Sequence, residues 1–269
     1  MAPKVRHILG ISGGKDSSAL AVFMRDKVPE IEYFFCDTGV ELAETYDYLN
    51  KLEKFLGKPI ARLSAEKGFD WWLVRNNYFL PSQRMRWCTV SLKLEPLEKF
   101  VGGAEAVSYV GIRYDEQGRK GYLNQKGNIK PIFPFIDHKI NKQGVMKILE
   151  EAGLGLPEYY KWRSRSGCFF CFFQRRMEWV GLYERHPDLF ARAMAYEKSD
   201  PITGKRFTWI QGESLEELIQ PERMAEIKRK HEVEMQRVIN SKCNKPLVEV
   251  LSNVLDQEDD QLPCQICNL

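Results

Sequence analysis

Several things are scarce in this sequence of 269 residues, and each scarcity excludes something. No apolar run approaches the roughly 18 residues that a membrane span needs. The N-terminus enters a short apolar run directly, without the long apolar segment and cleavage site of a secretory signal. The expected location is therefore the cytoplasm, with no membrane partner. Net charge is only +3, so no global field draws the chain to nucleic acid, and local patches would have to do so. The four histidines, His7, His138, His186 and His231, are scattered without metal-ligand spacing. There is no internal repeat. There is also no Walker A loop, which needs four residues between its first glycine and the Gly-Lys pair.

What is present begins at His7-Ile8-Leu9-Gly10-Ile11, a short apolar run that breaks at Gly13-Gly14 and resumes as Ser17-Ser18-Ala19-Leu20-Ala21-Val22. That order predicts strand, tight loop and helix. The paired glycines let the backbone approach a ligand with no β-carbon in the way. The helix, expected to begin at Ser17 and Ser18, turns its free N–H groups and the positive end of its dipole toward the loop. Such a site takes an anion, most often phosphate. Lys15 adds a charge, and Ser12, Ser17 and Ser18 add hydroxyl donors.

Downstream, Ile31 to Asp37 predicts a second strand, Glu41 to Gly57 a helix, and Pro59 to Leu63 a third strand. Phe69 to Val74 has the pattern of a short helix and Ala106 to Ile112 that of a strand. Lys130 to Phe135 is expected to be an extended loop, because its prolines spoil a central strand. Strands alternating with helices predict an α/β fold with a doubly wound parallel sheet. Ligands bind such sheets beyond the carboxyl ends of the strands, where Asp37 and Thr38 join residues 12–17. Gln143 to Ala152, Gln174 to Lys198 (interrupted at His186-Pro187) and Leu215 to Asn240 (broken at Pro221) are expected to be helical. The expected organisation is a nucleotide-binding domain over 1–165, a helical cysteine-bearing part over 166–240 and a tail over 241–269.

Seven cysteines in a reducing compartment point to metal or redox chemistry rather than disulfides. Cys168/Cys171 and Cys264/Cys267 are CxxC pairs, and Cys88 makes a fifth thiol. An iron–sulfur cluster and a Cys₄ zinc site use the same ligands at the same spacing. Cys36, inside an apolar strand, is expected to be a buried small hydrophobe, and Cys243 has no partner pattern. Basic residues crowd the cysteine segments: Arg84, Arg86 and Lys93, then Lys161, Arg163, Arg165, Arg175 and Arg176. Tyr159, Tyr160 and Trp162 are interleaved with them, a mixture that suits base stacking and phosphate contact, or a mononucleotide equally well.

The string SGGKDS directly after a strand resembles the pyrophosphate loop of the ATP pyrophosphatase (PP-loop) superfamily, also called adenine nucleotide alpha hydrolase-like. With DTGVELAETYDYL at 37–49, RWCTVSLKLEPL at 86–97, GIRYDE at 111–116, PIFPF at 131–135 and GCFFC at 167–171, the chain resembles the phosphoadenosine phosphosulfate (PAPS) reductase family within it. The resemblance spans about residues 5–200. It implies that Ser12, Gly13, Gly14, Lys15, Asp16, Ser17 and Ser18 hold nucleotide phosphate, that Asp37 and Thr38 lie by the nucleoside, and that Arg113 approaches the phosphates or the activated substrate. Lys15, Asp16 and Arg113 are the expected catalytic residues, with Asp16 a candidate magnesium ligand.

Two departures separate subfamilies. Adenylylsulfate reductases pair a Cys-Cys dipeptide with a later CxxC around a [4Fe–4S] cluster; here Cys88 lies 80 positions before Cys168, but its neighbour is Trp87. The Glu-Cys-Gly motif of the reductases does not occur. The expected metal ligands are Cys88, Cys168, Cys171 and, from the tail, Cys267 (or Cys264). The expected function is an ATP pyrophosphatase that adenylates a substrate and assists sulfur transfer, onto DNA as in phosphorothioation or onto tRNA. ATP, Mg²⁺ and a [4Fe–4S] cluster (or zinc) would be its cofactors. A cysteine desulfurase would be its sulfur donor and a multi-subunit complex its setting. The alternatives are a sulfonucleotide reductase and a nucleotide-binding accessory subunit of a defence or modification complex.

Overall fold

The computed structural model describes residues 5–116, 127–199 and 206–241. Five strands form its main sheet: β1 (Arg6–Gly10), β2 (Glu32–Asp37), β3 (Ile60–Ser64), β4 (Ala106–Tyr109) and β5 (Ile129–Ile132). They lie in the order β3-β2-β1-β4-β5, and every neighbouring pair is parallel. The chain therefore runs outward from β1 in one direction, then returns to lay β4 on the other side. The strand order reverses between β1 and β4, and a crevice opens there at the carboxyl ends.

Side chains alternate across this sheet, as the two-residue period of a strand requires. Leu9, Tyr33 and Phe35 pack on one face with helices α1 (Lys15–Met24) and α2 (Ala43–Leu56). Ile8, Phe34 and Cys36 pack on the other, against residues of a helical run that comprises α3 (Phe69–Arg75), α4 (Trp87–Thr89), a π turn (Val90–Leu94) and α5 (Glu95–Val101). Within that run it is Leu94, Leu97 and Val101 that meet this face. Cys36 is 2% exposed, the small buried hydrophobe its setting predicts. After β5 come α6 (Pro134–Asp137) and α7 (Lys142–Glu151), whose Val145 and Leu149 complete the first face.

Two expectations shift. Helix α1 begins at Lys15 rather than at Ser17, with Gly14 as its cap residue, so the lysine itself carries a first-turn N–H that has no acceptor within the helix. Residues 129–132 are an edge strand, not a loop. Donors of β4 and its flank reach the carbonyls of Asn128 and Ile132. That register turns the nitrogen of Pro131 to the open edge, where a missing N–H costs nothing.

The helical part comprises α8 (Arg176–Arg185), α9 (Pro187–Ala195), α10 (Leu215–Leu218) and α11 (Pro221–Ser241), broken at Pro187 and Pro221 as expected. It is built on a separate aromatic cluster. Phe170 lies 4.3 Å from Phe69 of α3 and stacks on Trp209 at 5.0 Å, with Trp179 buried beside them. Val40 and Leu42, from the loop after β2, enter the same cluster, which ties the cysteine-bearing segment to the carboxyl end of the sheet.

Candidate functional site

Residues 12–18, expected from the sequence to hold phosphate, run from just after β1 into the first turn of α1. Gly13 has φ +76°, in the left-handed region, and a β-carbon there would lie 2.7 Å from Cγ2 of Thr45. Only glycine fits that position. Ser17 Oγ accepts from the Ser12 N–H at 3.1 Å and donates to the Gly14 carbonyl at 3.3 Å, cross-bracing the loop. Ser18 is fully buried one residue further on.

Lys15 is 7% exposed, and its Nζ stands 3.6 Å from Oδ2 of Asp16. The other Asp16 oxygen accepts from Arg113 Nη1 at 2.9 Å. Arg113, 6% exposed, follows β4 and also faces Asp115 and Glu116. Burial works against its charge, but Asp16, Glu116 and Asp115 outweigh that penalty and hold its pKa above the ordinary value. Arg113, 97 residues beyond Asp16, thus meets the adjacent Lys15 and Asp16 where the strand order reverses.

Asp37 and Thr38 end β2 at the same edge. Asp37 Oδ1 accepts from the Gly39 N–H at 2.8 Å and the Tyr46 hydroxyl at 2.7 Å. Burial and that carboxylate raise the pKa of the Tyr46 phenol, so it remains a donor. Thr38 Oγ1 donates to Glu41 Oε1 at 2.8 Å and lies 3.3 Å from Cys168 Sγ. Glu41, 8% exposed, was not singled out from the sequence; the signal available was its place three residues after Thr38 in the 37–49 motif.

Cys168 and Cys171 form a tight turn in which the Cys171 N–H donates to the Cys168 carbonyl at 3.1 Å. The Cys168 thiol is raised well above its ordinary pKa, first by burial and then by the Glu41 carboxylate, with Lys93 opposing. Cys88 in α4 packs against the same aromatic cluster as Cys168. Among the described residues, no group of three or more His, Cys, Asp or Glu is arranged to hold a metal. Cys243, Cys264 and Cys267 lie outside the described residues.

The basic residues divide. Arg163 is fully buried and donates to the carbonyls of Gly167 at 3.0 Å and Cys168 at 2.9 Å, so it splints the cysteine turn. Arg175 is tied to the buried Glu178. Tyr159 is fully buried rather than offered for stacking. Arg84 and Lys161 are exposed. Arg86 and Arg165 flank the ring of Phe173 at 5.2 Å and 5.4 Å from its centroid. The sequence pattern could not make this division, because an arginine that binds carbonyls and one that faces solvent read alike.

Sequence relatives are similar over part of their length. An uncharacterised protein of Methanocaldococcus jannaschii is 32% identical over 177 residues, covering 61% of this chain and 35% of the relative. A second protein of that organism is 27% identical over 189 residues, covering 66% of this chain and 44% of the relative. This chain thus spans less than half the length of either. An uncharacterised nin-region protein of Escherichia phage lambda is 24% identical over 198 residues, covering 61% of this chain and 65% of it. The crystal structure of a phosphoadenylyl-sulfate reductase from Candida auris in a phosphate complex has a TM-score of 0.48 at 14% identity, covering 61% of this chain and 82% of that one. Residues 6–139, which hold residues 12–18, Asp37 and Arg113, match the model of the phosphoadenosine phosphosulfate reductase domain family.

Proposed function

We propose that this protein is an ATP pyrophosphatase that adenylates a substrate and assists the placement of sulfur on it. The observation that carries the proposal is the convergence of Lys15, Asp16 and Arg113 on the crevice between β1 and β4, at the start of a glycine-turned helix. The triphosphate of ATP lies along residues 12–18, where loop N–H groups and the helix dipole favour negative charge. Asp37 and Thr38, at the neighbouring strand end, lie by the nucleoside. A nucleophile of the substrate attacks the α-phosphorus; the bond to the oxygen that bridges to the β-phosphorus breaks, and pyrophosphate leaves with the electron pair. Lys15 and the loop amides stabilise the charge that develops on that leaving group. A sulfur nucleophile, delivered by a partner such as a cysteine desulfurase, then displaces AMP.

Two implied groups receive no step. Asp16 directs its oxygens at Arg113 and Lys15, so the loop forms no carboxylate seat for magnesium in this arrangement. The described cysteines by themselves form no metal seat: Cys88, Cys168 and Cys171 would hold a cluster or zinc only with a further ligand from outside the described residues.

The substrate we favour is nucleic acid, DNA or tRNA. Its support is local: the guanidinium groups of Arg86 and Arg165 lie 5.2 Å and 5.4 Å from the centre of the Phe173 ring, and a groove of about 950 Å³ is lined by Phe172, Arg176, Arg229 and Arg237, among others. Such a mixture of rings and cations suits a polyanion with bases to stack.

Purified full-length protein given ATP and magnesium is expected to release AMP and pyrophosphate, and Lys15→Ala to abolish that release. Formation of ADP and phosphate instead would overturn the assignment. The family match favours a second reading, a sulfonucleotide reductase. It predicts sulfite release from phosphoadenylyl sulfate with a thiol donor and no use of ATP.

A further inference from the structure

The phosphate loop is covered from outside the region that matches the family, by residues 158–168. This segment begins with a short 3₁₀ turn, Glu158–Lys161, and three hydroxyl groups from it reach the loop. The Tyr159 hydroxyl donates to the Gly13 carbonyl at 2.7 Å. The Lys15 N–H donates to the Tyr160 hydroxyl oxygen at 3.1 Å, and Nζ of Lys15 lies 5.5 Å from the centre of the same ring. The Ser166 hydroxyl donates to Ser12 Oγ at 3.1 Å. Ser166 comes so close that a β-carbon on Gly14 would stand 2.8 Å from its oxygen.

These three contacts differ in kind. Tyr159 is fully buried and binds a carbonyl, which no phosphate would seek, so it anchors the segment. Tyr160 binds a donor. Lys15 is the first residue of α1, and its N–H is among those a helix start offers to an anion. An oxygen already sits on that donor at ordinary hydrogen-bond distance. The Tyr160 oxygen is that of an uncharged hydroxyl on a half-buried residue. A phosphate oxygen carries charge and makes the stronger bond to the same N–H.

We propose that Tyr160 is a placeholder at the phosphate site: its hydroxyl occupies the Lys15 N–H in the empty protein, and an incoming phosphate oxygen displaces it. Residues 158–168 then respond to nucleotide occupancy. Ser166 is released from Ser12 by the same exchange. The far end of the segment is held separately, by the Phe169 N–H on the Val40 carbonyl at 2.9 Å and by the Arg163 bonds to Gly167 and Cys168. The exchange therefore reaches the cysteine turn through a rigid splint.

The inference rests on the proposed binding of nucleotide phosphate at residues 12–18, and its test separates the two. The probe is α,β-methylene-ATP, titrated calorimetrically into the full chain and into Tyr160→Phe, with melting temperatures recorded for each at zero and saturating probe. Removal of a hydroxyl that competes with the ligand is expected to tighten binding about 2- to 10-fold, the range that one net neutral hydrogen bond carries. The melting temperature of Tyr160→Phe should fall in the empty protein and match the parent at saturation. Ser166→Ala should tighten binding in the same direction, and serves if Tyr160→Phe does not fold. Unchanged or weaker binding by both variants overturns the placeholder while leaving the phosphate site intact. A parent protein that binds no probe overturns the phosphate site itself.

Discussion

Arg113 Nη1 donates to Asp16 Oδ1 at 2.9 Å, joining the loop after β4 to the first turn of α1 across the crevice. Because Arg113 also faces Asp115 and Glu116, it is the cation that lets three carboxylates share one corner. Truncation to alanine removes the guanidinium from the half-buried Asp16. Breaking a buried ion pair by removal of one partner costs about 3 kcal/mol or more. Arg113→Ala is expected to lower the urea midpoint markedly and to reduce pyrophosphate release from ATP at least 10-fold. Arg113→Lys keeps the charge but loses the fork, so it should recover stability more than activity. Equal loss of both in the two variants would show that Arg113 acts only as a strut.

Much of this corner was legible in the sequence. Residues 12–18 read as a strand-to-helix loop because paired glycines, a lysine and serines follow an apolar run. The parallel order followed from alternation of strands and helices. What could not be read was which side chains from distant segments would close on the loop. Tyr160 and Arg163 stand three residues apart in a basic, aromatic stretch that composition marks as a binding surface. The structure sends Tyr160 to the Lys15 N–H and buries Arg163 on two carbonyls. Pro131 misled for a related reason: proline excludes a central strand, but the sequence does not say which strand takes the edge.

Glu178 supplies a pH signature. It is 1% exposed, and its carboxylate accepts from the Ser164 N–H and hydroxyl, both at 2.6 Å, and from the Arg175 N–H at 3.0 Å. Burial alone would raise its pKa, but the charges of Arg175 and Arg163 and these hydrogen bonds prevail and lower it from 4.5. A carboxyl whose folded pKa is depressed contributes stability that is present above the unfolded value and lost as pH falls through the folded one. The parent protein should therefore lose stability on acidification below about pH 4.5. Glu178→Gln should cost about 2 kcal/mol at pH 7, the scale of charge-assisted hydrogen bonds, and show a flatter decline in acid. Parallel stability–pH curves for the two proteins would refute the assignment.

The last prediction concerns metal. Cys88 and Cys168 pack against one aromatic cluster, Cys171 shares a turn with Cys168, and by themselves these three thiols form no metal site among the described residues. A thiolate cluster takes four cysteines. Cys36 does not answer for the fourth: it is buried in β2, its thiol bonds the Lys93 carbonyl at 3.5 Å, and burial pushes its pKa up to about 12. A four-thiolate site here therefore needs a cysteine from outside the described residues, and the CxxC spacing of Cys264 and Cys267 makes them the expected source. Full-length protein purified without oxygen is expected to contain iron with acid-labile sulfide, or zinc. A chain truncated after Gln261 is expected to lose that metal, and Cys171→Ser to lose it too. Because the residues seen to touch residues 12–18 all precede residue 170, the truncated chain should still bind α,β-methylene-ATP with the parent's affinity. Equal metal content with and without the terminal residues would mean that the CQIC segment supplies no ligand.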